Sequence, residues 1–168
     1  TYNVPYIVIV EGILNVGALE EAFKKIIKRH EALRTSFETV EGQAVQKIHD
    51  HIDFKIESIY PQDGDKEEDI IEGFIRPFDL SKAPLIRAGV VKRNENEHIL
   101  MIDMHHIISD GTSIDILMKE LNSFYMGKEL DDLRVQYKDY SAWQNKLHKD
   151  DKFKKHEKYW MEKFKGEI

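Results

Sequence analysis

Residues 98–125 read HILMIDMHHIISDGTSIDILMKELNSFY, and this stretch decides the fold class. Its first seven residues are mostly apolar, which predicts a buried strand. Apolar residues then recur at helical spacing as far as Tyr125, with Thr112 as the expected N-cap and Asp115 in capping-box position. The stretch therefore predicts a strand, a polar loop over residues 105–113 and an amphipathic helix, which Gly127 ends.

Two antiparallel pairs of strands are predicted upstream. Residues 85–92 form an apolar run that a charged segment, residues 93–97, separates from the strand at 98–104. Residues 35–40 and 44–48 are rich in β-prone residues and flank Glu41-Gly42, a dipeptide typical of a hairpin turn.

The remaining segments alternate between strand and helix patterns. Residues 4–10 are β-branched and aromatic and predict a buried strand, and residues 52–59 could add another. Apolar residues from Leu19 to His30 follow helical spacing, a short helix is expected near 70–75, and residues 137–165 are helical in pattern. The chain is therefore predicted to be an α/β (α+β) sandwich, a mixed β-sheet covered by helices.

Composition excludes several classes of function. The 168 residues contain no cysteine, which removes thiolate nucleophiles and cysteine-ligated metals and suits a reducing compartment, so a cytoplasmic protein is expected. The formal net charge is −6 without a clustered basic stripe, so no nucleic-acid partner is expected. No apolar run approaches the ~20 residues of a spanning helix, so no membrane partner is expected either.

Two common catalytic motifs are missing. Gly12 and Gly17 have the spacing of a phosphate-binding loop, but Ala18 and Leu19 stand where Lys and Ser or Thr are required. No G-x-G-x-x-G and no G-x-S-x-G occurs. Nucleotide binding and a nucleophile elbow are therefore not expected.

The candidate chemistry lies in the polar loop. Neighbouring side chains on a strand point to opposite faces, so His105 and His106 should diverge, which disfavours a shared metal ion. A neutral imidazole can accept a proton near pH 7. Asp110 could fasten the loop by pairing with a cation, and Gly111 would allow a sharp turn. The alternative is a pair of hydrogen-bonded histidines at the core edge, and the residues alone leave both interpretations open.

Other histidines and arginines offer weaker candidates. His49 and His51 could face one way toward a metal, but no third ligand is evident, and an exposed strand end is favoured. His30 is expected to be buried and hydrogen-bonded. Arg29 and Arg34 flank His30, and each should cap a helix or pair with a carboxylate such as that of Asp110.

Three segments, in this order, resemble motifs of the condensation domains of nonribosomal peptide synthetases. Residues 29–37, RHEALRTSF, resemble the family's R-H-E-x-L-R-T-x-F motif. Residues 104–113, MHHIISDGTS, are similar to its H-H-x-x-x-D-G signature, and residues 137–143, YKDYSAW, to its Y-x-D-[FY]-A-x-W motif. Together the three segments identify the chain as a member of that family.

The resemblance implies a fold like that of chloramphenicol acetyltransferase, with two lobes around a tunnel. Donor and acceptor carrier domains would bring thioesters on 4'-phosphopantetheine arms, so no cofactor or metal is bound directly. An adjacent adenylation domain would be a further partner. Residues 1–168 would be the N-terminal lobe, without the family's first motif and without the C-terminal lobe, and the isolated lobe should be inactive.

The resemblance also assigns residues to roles. His106 matches the histidine that acts as base or positions the amine, and Gly111 matches a glycine beside the reacting thioester. His105, Asp110 and Arg34 match residues that support the site, and Arg29 is expected to do so too. The alternatives are a carrier-docking module without chemistry, a lobe of an epimerisation domain, or a lobe of an acyltransferase that uses free coenzyme A thioesters.

Overall fold

The computed structural model describes residues 2–148 and 151–166, which divide into two compact units, Thr1–Asp132 and Leu133–Ile168. The first unit contains all the strands described: β1 (Asn3–Glu11), β2 (Thr35–Val40), β3 (Gln43–Ile48), β4 (Glu57–Ile59), β5 (Ile86–Asn94) and β6 (Glu97–His105). Its helices are α1 (Val16–Arg29), a 3₁₀ helix (Glu31–Arg34), α2 (Glu67–Phe74) and α3 (Gly111–Tyr125). The second unit contains α4 (Tyr137–His148) and α5 (Asp151–Lys163).

A mixed sheet forms the centre of the first unit. Its four strands lie in the order β1-β6-β5-β4, with β4 parallel to β5 and the other pairs antiparallel. Strands β2 and β3 form a separate hairpin. Both predicted antiparallel pairs are confirmed, and Glu41 and Gly42 have φ angles of 51° and 78°, as a tight hairpin turn requires.

Strand β1 forms as predicted, but the prediction that it is buried is wrong. Among the described strands it lies at the edge of the sheet, next to β6. The side chains of Tyr6, Ile7 and Ile9 are 37%, 38% and 55% exposed. A run of β-branched and aromatic residues predicts a strand, but it does not determine whether that strand is central or at an edge.

Two other boundaries differ from the sequence predictions. Only Glu57–Ile59 of the predicted strand 52–59 pairs with a neighbour, although Phe54 and Ile56 are buried in the core. Helix α2 begins at Glu67, earlier than predicted, and ends at Phe74 before Pro77.

Successive side chains of β6 lie on opposite faces of the sheet. Leu100, Ile102 and Met104 belong to the main core, which includes the apolar faces of α1 and α3. Ile99 and Met101 belong to a second cluster that contains Phe74 of α2. Asp103 and His105, two and four residues beyond Met101, continue along this second face.

The N-cap of helix α3 lies two residues before the predicted one. The N-cap is Asp110 rather than Thr112, and its Oδ1 accepts hydrogen bonds from the backbone N and the Oγ of Ser113 at 2.8 and 2.7 Å. The backbone N of Asp110 donates to Ser113 Oγ, so a capping box is present with different members. None of the helices described is long and apolar enough to cross a bilayer.

Candidate active site

The loop between β6 and α3 presents the two histidines of the sequence motif. Strand β6 ends at His105, and hydrogen bonds from the backbone N of Ile108 (3.1 Å) and the Oγ of Ser109 (3.1 Å) to the carbonyl of His105 hold the loop as a tight turn. The backbone N of His106 donates to the carbonyl of Tyr2 at 2.7 Å, which ties the loop to the residue before β1. Residues far apart in the sequence therefore define the position of the loop.

His105 is partly buried, and its imidazole fastens the loop. Its Nδ1 lies 3.0 Å from the backbone N of Ile107 and accepts that hydrogen bond, so the proton of the neutral ring is on Nε2. The centroids of the Tyr2 and Phe78 rings lie 6.4 and 6.3 Å from the centroid of the His105 ring. Burial lowers the pKa of His105, and the nearby His106 lowers it further.

His106, in contrast, is exposed to solvent. The two neighbouring histidines therefore have different surroundings, although β6 ends at His105 and the alternation of a strand does not extend to His106. Within residues 2–148 and 151–166, no group of three His, Asp or Glu side chains is arranged to hold a metal ion. His49 has another contact instead, since its Nε2 lies 2.8 Å from the Oγ of Ser36.

The predicted ion pair between Asp110 and Arg34 is wrong. Asp110 is exposed, and the hydrogen bonds from Ser113 lower the pKa of its carboxyl group. The guanidinium of Arg34 donates to the carbonyl of His49 at 2.6 Å and lies 3.5 Å from Glu31. The carboxylate of Asp110 thus binds within its own helix turn, and Arg34 binds the end of the β2–β3 hairpin.

Gly111 does not make the sharp turn that was expected of it. Its φ angle is outside the left-handed region, because it is the first residue of α3. A Cβ atom placed at Gly111 would meet no atom of the described chain within 4 Å. The glycine therefore leaves open space at the start of α3, next to the histidine loop.

Arg29 and His30 both bind Glu120. Arg29 therefore has the carboxylate partner that the sequence predicts, but this partner is Glu120 and not Asp110. Arg29 Nε lies 3.1 Å from each carboxylate oxygen of Glu120, and His30 Nε2 lies 2.6 Å from Oε2. Arg29 also donates to the carbonyl of Asp131. The cluster joins the end of α1 to the helix that follows the histidine loop.

A second cluster of polar side chains, also not predicted from the sequence, lies on the same face of β6 as His105. Asp103 is fully buried, and its Oδ2 accepts a hydrogen bond from Asn3 Nδ2 at 2.7 Å and lies 3.6 Å from Arg87 Nη1. Burial raises the pKa of Asp103, and the neighbours Asn3 and Arg87 oppose that shift.

The family model for the condensation domain matches residues 1–168. The chain belongs to the condensation domain family. It is 51% identical over 168 residues to bacitracin synthase 2 of Bacillus licheniformis and 50% identical over 167 residues to gramicidin S synthase 2 of Aneurinibacillus migulanus. These alignments cover 99% of this chain but only 6% and 4% of the two synthases, so the chain spans a small part of the relatives it matches.

The fold of this condensation domain chain also matches solved structures. The starter condensation domain of rhizomide synthetase superposes with a TM-score of 0.86 at 15% identity, over 99% of this chain and 43% of that one. This likeness confirms the predicted fold class, a mixed sheet covered by helices as in chloramphenicol acetyltransferase.

The three condensation motifs occupy defined elements. The first spans the end of α1 and the start of β2, and the second is the histidine loop with its flanks. The third lies at the start of α4 in the second unit, where Tyr140 has its ring 5.9 Å from that of Tyr137 and 5.7 Å from that of Trp143. Glu120, Arg87 and Asp103 are not predicted from the sequence as residues of the candidate site. One signal for Asp103 is present, a carboxylate inside an otherwise apolar strand.

Proposed function

We propose that residues 1–168 are the N-terminal, histidine-bearing lobe of a domain that forms peptide bonds in nonribosomal peptide synthesis. The observation that carries the proposal is the exposed His106 between β6 and α3, in a chain that belongs to the condensation domain family. The relatives are synthases of gramicidin S and bacitracin, which supports a role in the assembly of peptides of this kind.

The proposed reaction transfers an acyl group from a thioester to an amine. The amine nitrogen attacks the thioester carbonyl, a C–N bond forms, the C–S bond breaks, and the amine loses a proton while the thiolate gains one. A neutral imidazole can accept that proton or orient the amine through a hydrogen bond. Of the two imidazoles in the loop, that of His106 is the one exposed to a substrate, because His105 is partly buried and accepts the hydrogen bond of Ile107.

Gly111 has a place in this proposal because of the space beside it. A side chain at this position would project into a region that is empty in the described chain. A thioester that lies along the backbone at the start of α3 would need that space. The requirement for glycine then comes from the substrate rather than from the backbone conformation, which is ordinary.

The supporting residues act through the elements that carry the loop. His105 fastens the loop from within, Asp110 caps α3, and Arg29 ties α3 to α1 through Glu120. Arg34 holds the end of β3 through the carbonyl of His49. Each of these contacts is structural, so we assign none of these residues to proton transfer.

The substrates and partners follow from the same proposal. Aminoacyl or peptidyl thioesters on the 4'-phosphopantetheine of donor and acceptor carrier domains are the substrates, and the lobe itself binds no cofactor. A C-terminal lobe supplies the second wall of the site, and an adenylation domain loads the carriers. A docking module without chemistry is the main alternative, since this chain corresponds to under half of a related condensation domain.

The test uses the complete two-lobed domain that contains this chain. It is incubated with a donor and an acceptor carrier, each loaded with an aminoacyl group, and the acceptor is analysed by mass spectrometry. We expect a dipeptidyl acceptor with carrier-bound donors and none with free coenzyme A thioesters. Binding of both carriers without any dipeptide would support the docking module, turnover of coenzyme A thioesters would support the other acyltransferase class, and a change in the configuration of the carrier-bound residue would indicate epimerisation.

A further inference from the structure

Asp103 is a buried carboxylate whose hydrogen bonds are incomplete. Its Oδ2 is bound by Asn3, but its Oδ1 and the Oδ1 of Asn3 have no hydrogen-bond partner among the described residues. Leaving such groups unpaired in the core costs free energy, and in proteins an apolar pair of similar volume is often at least as stabilising. Stability alone is therefore a weak explanation for Asp103 and the arginine beside it.

Arg87 connects Asp103 to the segment that leads out of α2. Its Nη1 lies 3.6 Å from Asp103 Oδ2 and donates to the carbonyl of Arg76 at 2.7 Å. Asn3 Nδ2 donates to the same carbonyl at 2.9 Å. Two side chains of the sheet thus hold one carbonyl of this segment in place.

Phe78, two residues beyond that carbonyl, links the segment to the histidine loop. The guanidinium carbon of Arg87 lies 3.7 Å from the centre of the Phe78 ring, which is close stacking. The Phe78 ring meets the His105 ring edge to face, with centroids 6.3 Å apart and an interplanar angle of 86°. His105 in turn accepts the hydrogen bond of Ile107.

We propose that Asp103 and Arg87 are positioning residues that hold Phe78 against His105 and thereby set the geometry of the loop that carries His106. The path runs through contacts of named side chains, from Asp103 to Arg87, Phe78 and His105. The proposal rests on the proposed function, because it states how the same loop is kept in its reactive position.

The experiment uses Arg87→Met and Phe78→Leu in the complete two-lobed domain. Arg93→Met is the matched control, since Arg93 is also a paired arginine of β5 but binds Glu67 and Glu97 at the other end of the strand. Deuterium exchange of peptides covering residues 105–110 is measured together with kcat and KM for dipeptide formation. The melting temperature shows which variants fold.

A displaced loop should lower kcat by about tenfold or more, because misplacing reacting groups by ~1 Å costs up to about a hundredfold in rate. We expect this loss in Arg87→Met and Phe78→Leu, with KM within about twofold of wild type and faster exchange of residues 105–110. Arg93→Met should resemble wild type in kcat and in exchange of this loop.

Folded variants with wild-type kcat, or with unchanged exchange of residues 105–110, would overturn the positioning role. If Arg87→Met does not fold, Phe78→Leu decides, since it removes the ring contact and leaves the ion pair intact. If wild type forms no dipeptide, the proposed function fails, while the exchange data still test whether Arg87 and Phe78 hold the loop.

Discussion

The Nδ1 atom of His105 accepts a hydrogen bond from the backbone N of Ile107, at 3.0 Å. This bond exists only while Nδ1 is unprotonated, since a doubly protonated imidazole has no acceptor. The bond makes the histidine loop sensitive to pH through a residue that we do not assign to proton transfer.

The free energy of unfolding of the domain should therefore decrease as the pH is lowered below about 6.5, the unperturbed pKa of histidine. Burial lowers the pKa of His105 in the folded state, so the unfolded chain binds a proton first as the pH falls. The stabilisation is complete above the unfolded pKa and is lost as the pH drops toward the folded one. Urea unfolding at several pH values between 7.5 and 5 measures the slope of the free energy of unfolding against pH. The variant His105→Asn keeps an acceptor near the position of Nδ1 and should make this slope smaller. Equal slopes in both proteins would contradict the prediction.

Replacing Asp110 tests whether it caps α3. Asp110→Ala removes the acceptor for the backbone N of Ser113 and should lower the melting temperature by a few degrees. Asp110→Asn should be milder, because asparagine is an equally good N-cap. If Asp110→Asn is as damaging as Asp110→Ala, the charge rather than the cap is the important property, and an ionic partner for Asp110 has to be sought.

Glu120 should be the most sensitive acidic residue of α3. Glu120→Ala leaves Arg29 and His30, whose side chains are 13% and 23% exposed, without their shared carboxylate. We expect a loss of about 2 kcal/mol in the free energy of unfolding, below the ~3–5 kcal/mol of a fully buried pair. The control is Glu21→Ala, which removes an exposed partner of Lys24 and should change little. Similar losses in the two variants, measured by urea unfolding, would argue against an anchoring role for Glu120.

Local sequence patterns predict the parts of the fold that depend on local interactions. The β2–β3 hairpin follows from Glu41-Gly42, and the strand pair β5–β6 from two apolar runs around a charged turn. Strand β1 pairs with β6, so that Asn3 lies opposite His105. No local pattern encodes this contact or the position of β1 at the edge of the sheet, and for that reason the burial of β1 is predicted wrongly.

The residues of the candidate site likewise fall into those that local sequence predicts and those that it does not. The histidine loop is predicted because its residues are contiguous and resemble a family motif. The partner of Asp110 is predicted wrongly because a local cap competes with a distant cation, and Ser113 is only three residues away. Glu120 and Arg87 are not predicted because each acts on a residue from another element, and residue type alone does not reveal such a contact.

Residues 1–168 produced alone should form no dipeptide from loaded carriers. The histidine loop lies entirely within the first unit, so it can form, but under the function proposed above a second lobe is needed to hold two carrier-bound substrates. Mass spectrometry of the acceptor carrier after incubation with both loaded carriers is the measurement. Dipeptide above the uncatalysed background, and absent with His106→Ala, would show that one lobe suffices.

The division of roles between the two histidines is tested most directly by the rate of dipeptide formation in the complete two-lobed domain, measured for His106→Ala and His105→Ala alongside wild type. Circular dichroism confirms that each variant is folded. We expect His106→Ala to lose about a hundredfold or more in kcat with little change in melting temperature, because a general base typically contributes that much. His105→Ala should lower the melting temperature and retain more activity than His106→Ala. A folded His106→Ala variant with near wild-type kcat, beside an inactive and stable His105→Ala variant, would contradict the assignment of His106.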